Sequence, residues 1–313
     1  MPADLQTAFL SAVALIVLVG CTPSTDDRGA VQTNPATDAA YLTSPLWNDG
    51  QAEMAFYRVR RSQSPYGERE DQVFLLGSYL VKHDYDPRAE AKAASGAAET
   101  VSAFKYALFY EFESGSYEYK RSYVVNARQA DLRPLKHSFN SFDWCSNLYE
   151  ELAFDRDGRV EYLKRSDDYG NHSASFDYVG GTYPPALVPL LVRSMDFRDD
   201  SGAGKVVRFG VLLESGEVVT ASAERFGVEP IETEAGRYEA ERIEVTYDGE
   251  LPSPFAEEAD RRETYWRGTG ADRLLVALEA TTGRYRVELI EAVRSPYWEE
   301  NVYDELVRVQ SRP

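Results

Sequence analysis

The chain has 313 residues and carries 52 acidic against 34 basic side chains, a formal net charge of −18. That balance argues against nucleic acid and against a broad anionic-lipid patch, both of which require a basic surface. Two cysteines, Cys21 and Cys145, and three histidines also leave little material for a disulfide framework or a His-rich metal cluster.

The first element in chain order is an apolar run from Ala8 that ends Leu18-Val19-Gly20-Cys21. Its length suits either a secretory leader or a buried helix, and Met1 to Thr7 holds Asp4 with no Lys or Arg. The ending resembles a bacterial lipobox. In that family the peptidase accepts a small residue such as Gly20 and cuts just before the cysteine. The thiol carries diacylglycerol, and the freed amine takes a palmitate-type acyl chain. The resemblance implies a lipoprotein signal peptide over residues 1–20 and a lipidated Cys21 that ties the protein to a membrane of the bacterial cell envelope. Thr22 stands where an Asp commonly retains such proteins in the inner membrane, which implies the outer membrane with the domain in the periplasm. Acyl burial contributes about 0.8 kcal/mol per methylene, so two or three chains anchor durably.

Residues 21–40 hold the lipidated Cys and a flexible tether rich in Thr, Pro, Asp and Ala. From Tyr41 aromatics become dense, and residues 41–313 suffice for one large β domain or two halves, 41–181 and 201–313. Short alternating segments bounded by Gly, Asp, Asn and Ser predict antiparallel strands. Four hairpins follow. Phe104 to Phe112 and Tyr117 to Val125 flank Ser114-Gly115, and Leu148 to Phe154 and Val160 to Leu163 flank a turn ending at Gly158. Val206 to Leu213 and Val218 to Ala223 flank Ser215-Gly216, and Leu274 to Glu279 pairs with Tyr285 to Ile290 across Gly283. In the segment from Gln51 to Val59, Ala52, Met54 and Phe56 share the buried face, and Gln51 and Glu53 open the wet one. In the segment from Arg284 to Glu291, Tyr285, Val287 and Leu289 alternate with Arg284, Arg286 and Glu288. Pro87 to Thr100 lacks an apolar stripe and reads as a surface excursion. Tyr183 to Phe197 predicts a helix over about 184–197, capped by Thr182 and joining the two halves, with Pro189 tolerated in its first turn.

Leu46 to Glu53 followed by Tyr66-Gly67-Glu68-Arg69, then Phe142-Asp143-Trp144-Cys145 leading to Leu148-Tyr149, and Ser295-Pro296-Tyr297-Trp298 ahead of Leu306-Val307 resemble an uncharacterised family of bacterial lipoproteins. Ile231 to Val245, Tyr265-Trp266 and Arg273 to Ala292 look like the C-terminal half of a broader group of envelope β proteins of unknown function. The resemblance implies a mainly β fold, a curved antiparallel sheet or incomplete β-barrel, loosely similar to lipoprotein carriers with apolar clefts. Some of these lipoproteins bear the label septum formation inhibitor Maf. Genuine Maf proteins carry S-x-S-P-R-R. Here Ser62-Gln63-Ser64-Pro65 matches half, but Tyr66-Gly67 replaces the phosphate-holding arginines, so the label is not supported.

Nucleophile and phosphate motifs such as G-x-S-x-G are missing, and Gly268-Thr269-Gly270 reads as a turn. His137, Asp143 and Cys145 contain the parts of a nucleophilic dyad, but on one extended strand eight residues at ~3.4 Å would hold His137 and Cys145 roughly 27 Å apart. Cys145 is therefore expected in the core beside Trp144. His83, His137 and His172 are scattered, and Asp155-x-Asp157-Gly158 lacks the rest of a calcium loop, so no metal or cofactor is expected. Arg267, Arg284, Arg286 and Arg294 are the cations an anion-binding edge would use, although outward strand positions are charged anyway. The crowded hairpin aromatics are accounted for by cross-strand pairing. The alternative is an apolar cleft lined by Tyr106, Tyr110, Tyr119, Trp144 and Trp266. The expected role is a non-enzymatic, lipid-anchored envelope protein that binds an apolar ligand or an envelope protein. The alternatives are an envelope hydrolase with a carboxylate or metal site, and a purely structural assembly component.

Overall fold

Alternating side chains and glycine-bearing turns produce strands through most of the described residues. The computed structural model describes residues 37–62, 71–198 and 205–299, without the side chains of 250–253 and 256–260. The strands are β1 (Ala52–Arg61), β2 (Gln72–Asp86), β3 (Ala91–Lys92), β4 (Val101–Ser114), β5 (Tyr117–Arg128), β6 (Pro134–Phe142), β7 (Asn147–Phe154) and β8 (Arg159–Ser166). They continue as β9 (His172–Asp177), β10 (Thr182–Tyr183), β11 (Val207–Leu212), β12 (Val218–Thr233), β13 (Gly236–Ser253), β14 (Ala256–Gly268), β15 (Leu275–Ala280) and β16 (Tyr285–Ser295). A one-turn helix, α1 (Ala39–Leu42), precedes β1, and α2 (Val188–Ser194) follows β10.

All four expected hairpins form, as β4–β5, β7–β8, β11–β12 and β15–β16. Gly115, Gly158, Gly216 and Gly283 each adopt the positive φ their turns require. The strands make one sheet, in the order β10-β11-β12-β13-β14-β15-β16-β1-β2-β4-β5-β6-β7-β8-β9, with β3 branching from β2. Only β10–β11 is parallel. The N-terminal and C-terminal strands each occupy a contiguous stretch, and β1 and β16 pair over their full lengths between them.

The sheet curls until its ends touch. Leu152, Phe154, Val160 and Tyr162 of β7 and β8 pack with Leu212 of β11 and Val218 of β12, closing one apolar cluster. The ring of Phe176 in β9 lies against Gly216, where an added Cβ would come within 3.1 Å of it. Among the described residues no ladder joins the two ends, because β9 pairs with β8 and β10 pairs with β11. The chain itself crosses the seam in residues 178–181, pinned by the Tyr178 hydroxyl donating to the Thr182 carbonyl at 3.1 Å. This is an incomplete β-barrel held shut by side chains.

The concave side holds the main core, from Tyr57, Leu76, Tyr106 and Leu108 in the N-terminal strands to Phe209, Ile243, Tyr265 and Val287 in the C-terminal ones. Helix α2 lies within this core, and all seven of its residues are buried. It is shorter than the 184–197 expected, and besides following β9 and β10 in the chain it fills the concave side of the sheet. Pro185–Leu187 forms a 3₁₀ turn first, and Thr182 does not cap the helix, because its hydroxyl donates to Val179 and its backbone belongs to β10. Pro189 does fall in the first turn of α2.

Two polar anchors hold α2. Arg193 meets Glu53 of β1 through paired bonds of 2.7 and 2.8 Å, their side chains 3% and 6% exposed. It also donates to the carbonyls of Asp272 and Arg273. Arg267 of β14 places one guanidinium nitrogen against the carbonyls of Val192, Arg193 and Met195, satisfying the helix C-terminus, and turns its other nitrogens to Glu241. Glu53 therefore faces inward, correcting the expectation that it opens the wet face of β1. The Ala52, Met54 and Phe56 face is buried too, but on the outer side of the sheet, clustered with Val81 and Ile290. The inward face of β16 is as expected, with Tyr285, Val287 and Leu289 buried. Residues 87–100 form an exposed excursion containing β3.

Candidate functional site

Strand parity places Phe74, Tyr110, Phe112 and Tyr119 inside the barrel and Val73, Leu75, Phe109 and Phe142 outside. A groove of about 990 Å³ across β2, β4, β5 and β6 is lined by this outer set and, where it reaches past the strands, by the inward Phe74, Tyr110, Phe112 and Arg121. Val73 and Phe142 are 57% and 55% exposed, a large apolar outlay for an outward face. Gly77 lets the Phe109 ring lie flat on the sheet, since a Cβ there would approach the ring to 2.4 Å. Asp71, Glu111, Glu113 and Glu118 rim the groove. Lys120 is its one outward cation and bridges Glu111 at 3.0 Å and Glu118 at 3.7 Å, which raises its pKa. The site is thus an apolar strip inside an acidic border.

The expected cleft aromatics do not meet in one place. Tyr106, Tyr110 and Tyr119 are buried in the barrel core, where the Tyr110 hydroxyl donates to the Pro254 carbonyl at 2.7 Å and Tyr119 stacks on Phe112 at 5.0 Å. Trp266 lies on the opposite, outer face of β14, its indole N–H donating to Glu229 at 2.7 Å. Trp144 is 82% exposed in the β6–β7 turn. Cys145 is exposed beside it, which corrects the buried placement expected for both residues. The Asp143 carboxylate accepts the backbone N–H groups of Cys145 and Ser146 and shapes a tight turn. That Asp signal, in the sequence Asp143-Trp144-Cys145-Ser146, was the available clue to a loop.

The three histidines occupy three settings. His83 is half-buried against Asn126 on the outer face of β2, and burial lowers its pKa. His137 is buried in the core on β6, and burial alone lowers its pKa to about 4. His172 is exposed at the start of β9, and Asp168 is exposed in the turn before it. Among the described residues no three His, Cys, Asp or Glu side chains are placed to hold a metal ion. The Asp155 to Gly158 segment is a hairpin turn, with Asp155 accepting the Arg159 N–H at 2.8 Å. Arg286 pairs with Glu279 and Glu288, and Arg294 with Asp49. Gly20, Cys21, the tether before Thr37, Gln63 to Arg69 and Leu306-Val307 lie outside the described residues.

Fold and groove together define an incomplete antiparallel β-barrel filled by a helix and bearing an apolar groove on its outer face. No family model matches the chain, and no curated protein matches it. Solved structures similar to it include the following two. One is a beta-barrel-like protein of the domain of unknown function DUF1849 from Brucella abortus, 7% identical over 78% of this chain and 97% of that one, with a TM-score of 0.46. The other is a putative exported protein with a YmcC-like fold from Bacteroides fragilis, 9% identical over 83% of this chain and 98% of that one, with a TM-score of 0.27.

Proposed function

We propose that this chain is a non-enzymatic envelope lipoprotein, anchored through Cys21, that docks an apolar segment flanked by basic residues, carried by a second envelope protein, in its outer groove. The observation that carries this reading is the outer strip of exposed Val73 and Phe142 with the half-buried Leu75 and Phe109 between them, inside a border of carboxylates. A helix occupies the space where a carrier would keep an apolar ligand, which directs binding to the outside. Exposed apolar area of this kind marks an interaction surface, and the acidic border selects the sign of the partner's charge.

A photo-crosslinker at Phe142 in the native host forms one discrete adduct, which Val73→Asp abolishes. A crosslinker at Arg237, on the other half of the sheet, does not form it. Equal adducts from both positions would overturn the docking site, and native mass spectrometry finding a copurifying apolar molecule would replace the protein partner with a ligand. The anchor has its own test. Cells fed labelled palmitate label the wild-type protein, and Cys21→Ala loses the label and leaves the membrane fraction; unchanged labelling would refute the anchor without touching the groove.

A further inference from the structure

A second pocket, of about 480 Å³, opens at the C-terminal end of α2, away from the outer groove. Arg198, Arg225, Arg267 and Arg273 line it together with Asp196, Glu241 and Thr269. With Asp38, which pairs with Arg273 and Arg198, the pocket sets four guanidinium groups against three carboxylates. This is a local cationic excess in a chain of net charge −18.

The four arginines are not equivalent. Arg267 is fully committed to Glu241 and to the last carbonyls of α2. Arg198 forms a fork with Asp196, which lowers the Asp196 pKa to about 2. Arg225 gives only its Nε to Glu241, at 2.5 Å, so its two terminal nitrogens have no acceptor among the described residues. Arg273 gives Nη2 to Asp38 at 2.5 Å, while its Nη1 is buried and meets no acceptor. Its backbone is held at φ +46°, a left-handed conformation uncommon for a side-chain-bearing residue, and its guanidinium rests 4.8 Å over the Tyr41 ring. A buried donor without an acceptor is a cost that folds rarely carry unless something completes it.

We propose that this pocket is a phosphate-binding site, in which the N–H groups of Arg225 and Arg273 that have no protein acceptor take the oxygens of a phosphate or phosphate ester. Guanidinium groups suit that ligand because their planar forks match two of its oxygens at once. The inference is independent of the outer groove and of the anchor. The pocket uses Arg267, one of the cations noted in the sequence, as a support, and takes its ligand-binding groups from Arg225 and Arg273.

Isothermal titration of the full-length protein in neutral detergent micelles at low ionic strength tests it, with inorganic phosphate, glycerol 3-phosphate and short-chain phosphatidylglycerol as titrants. Inorganic phosphate gives a saturable heat for one site per chain. Arg225→Gln weakens it at least about tenfold, as expected for losing charge-assisted hydrogen bonds. Arg225 is partly exposed, so its variant keeps the wild-type thermal midpoint, and Arg273→Gln gives the same loss. Phosphatidylglycerol binding at least tenfold tighter than phosphate assigns a lipid headgroup, and the reverse order assigns a soluble phosphate. Absence of saturable heat with all three titrants, or wild-type affinity in the Arg225→Gln, Arg273→Gln double variant, overturns the proposal.

Discussion

Glu53→Ala lowers the unfolding free energy by about 3–5 kcal/mol, measured by urea denaturation, because it strands the Arg193 charge in the barrel core. Arg193 has no route to water, and its remaining acceptors are the backbone carbonyls of Asp272 and Arg273. A carboxylate that holds two guanidinium nitrogens at 2.7 and 2.8 Å cannot be replaced by a carbonyl dipole. The double variant Glu53→Met, Arg193→Met removes both charges, and it recovers at least half of the loss, since a well-packed apolar pair is often as stable as a buried ion pair. A double variant as unstable as the single one would show that the side chains act by shape, not charge. The pair also orients α2, so hydrogen exchange in residues 188–194 rises far more in Glu53→Ala than in the double variant.

His137 makes the stability of the fold depend on pH on the acid side of neutrality. It is buried between Val125 and Leu152 in register, with the Tyr123 ring 6.3 Å away, and its Nε2 has no acceptor. Burial lowers its pKa from 6.5 to about 4, so the folded protein keeps the ring neutral. The unfolded chain takes up a proton near pH 6.5, and between pH 6.5 and about 4 it binds a proton that the folded state excludes. Stability is therefore unaffected by this group above pH 6.5 and falls with decreasing pH at about 1.4 kcal/mol per unit, to a loss of roughly 3 kcal/mol near pH 4. Carboxylates titrate in part of the same window, so the relevant quantity is the difference between wild type and His137→Leu. That difference grows as the pH drops from 6.5 to 4. Parallel stability curves for the two proteins would sink the assignment.

Much of the architecture was legible in the sequence because turn glycines and two-residue alternation report local backbone directly. The β15–β16 hairpin shows this, with Gly283 at positive φ and Tyr285, Val287 and Leu289 on the inward face. Alternation, however, separates two faces without saying which is inside. In β1 both faces are apolar enough to be buried, and the charged Glu53 points inward because its partner comes from α2, 140 residues away. No local pattern encodes such a pairing. The helix suffered from the same limit: its apolar spacing was visible, but Pro184, Pro185 and Pro189 shorten it, and nothing nearby reveals that the sheet wraps around it. Trp144 and Cys145 were misplaced because residue type outweighed the turn-forming Asp143. The groove escaped notice for a related reason, since an exposed Val73 and a buried one look identical until strand parity assigns the face.

The bridge between Thr37 and Met195 gives the fold a point of mechanical attachment. A pull arriving at Thr37 meets this bridge before any strand of the sheet. It passes first through the Asp38 N–H to the Ser194 carbonyl, at 2.7 Å, and through the Asp38 to Arg273 pair. The first contact leads into the last turn of α2 and the second into the turn between β14 and β15, whose Arg273 carbonyl accepts from Arg193, and Arg193 and Arg267 then distribute the load to β1 on one side and β14 on the other. The helix thus serves as a toggle held inside the sheet, so that a load applied at one residue is shared by both halves of the barrel.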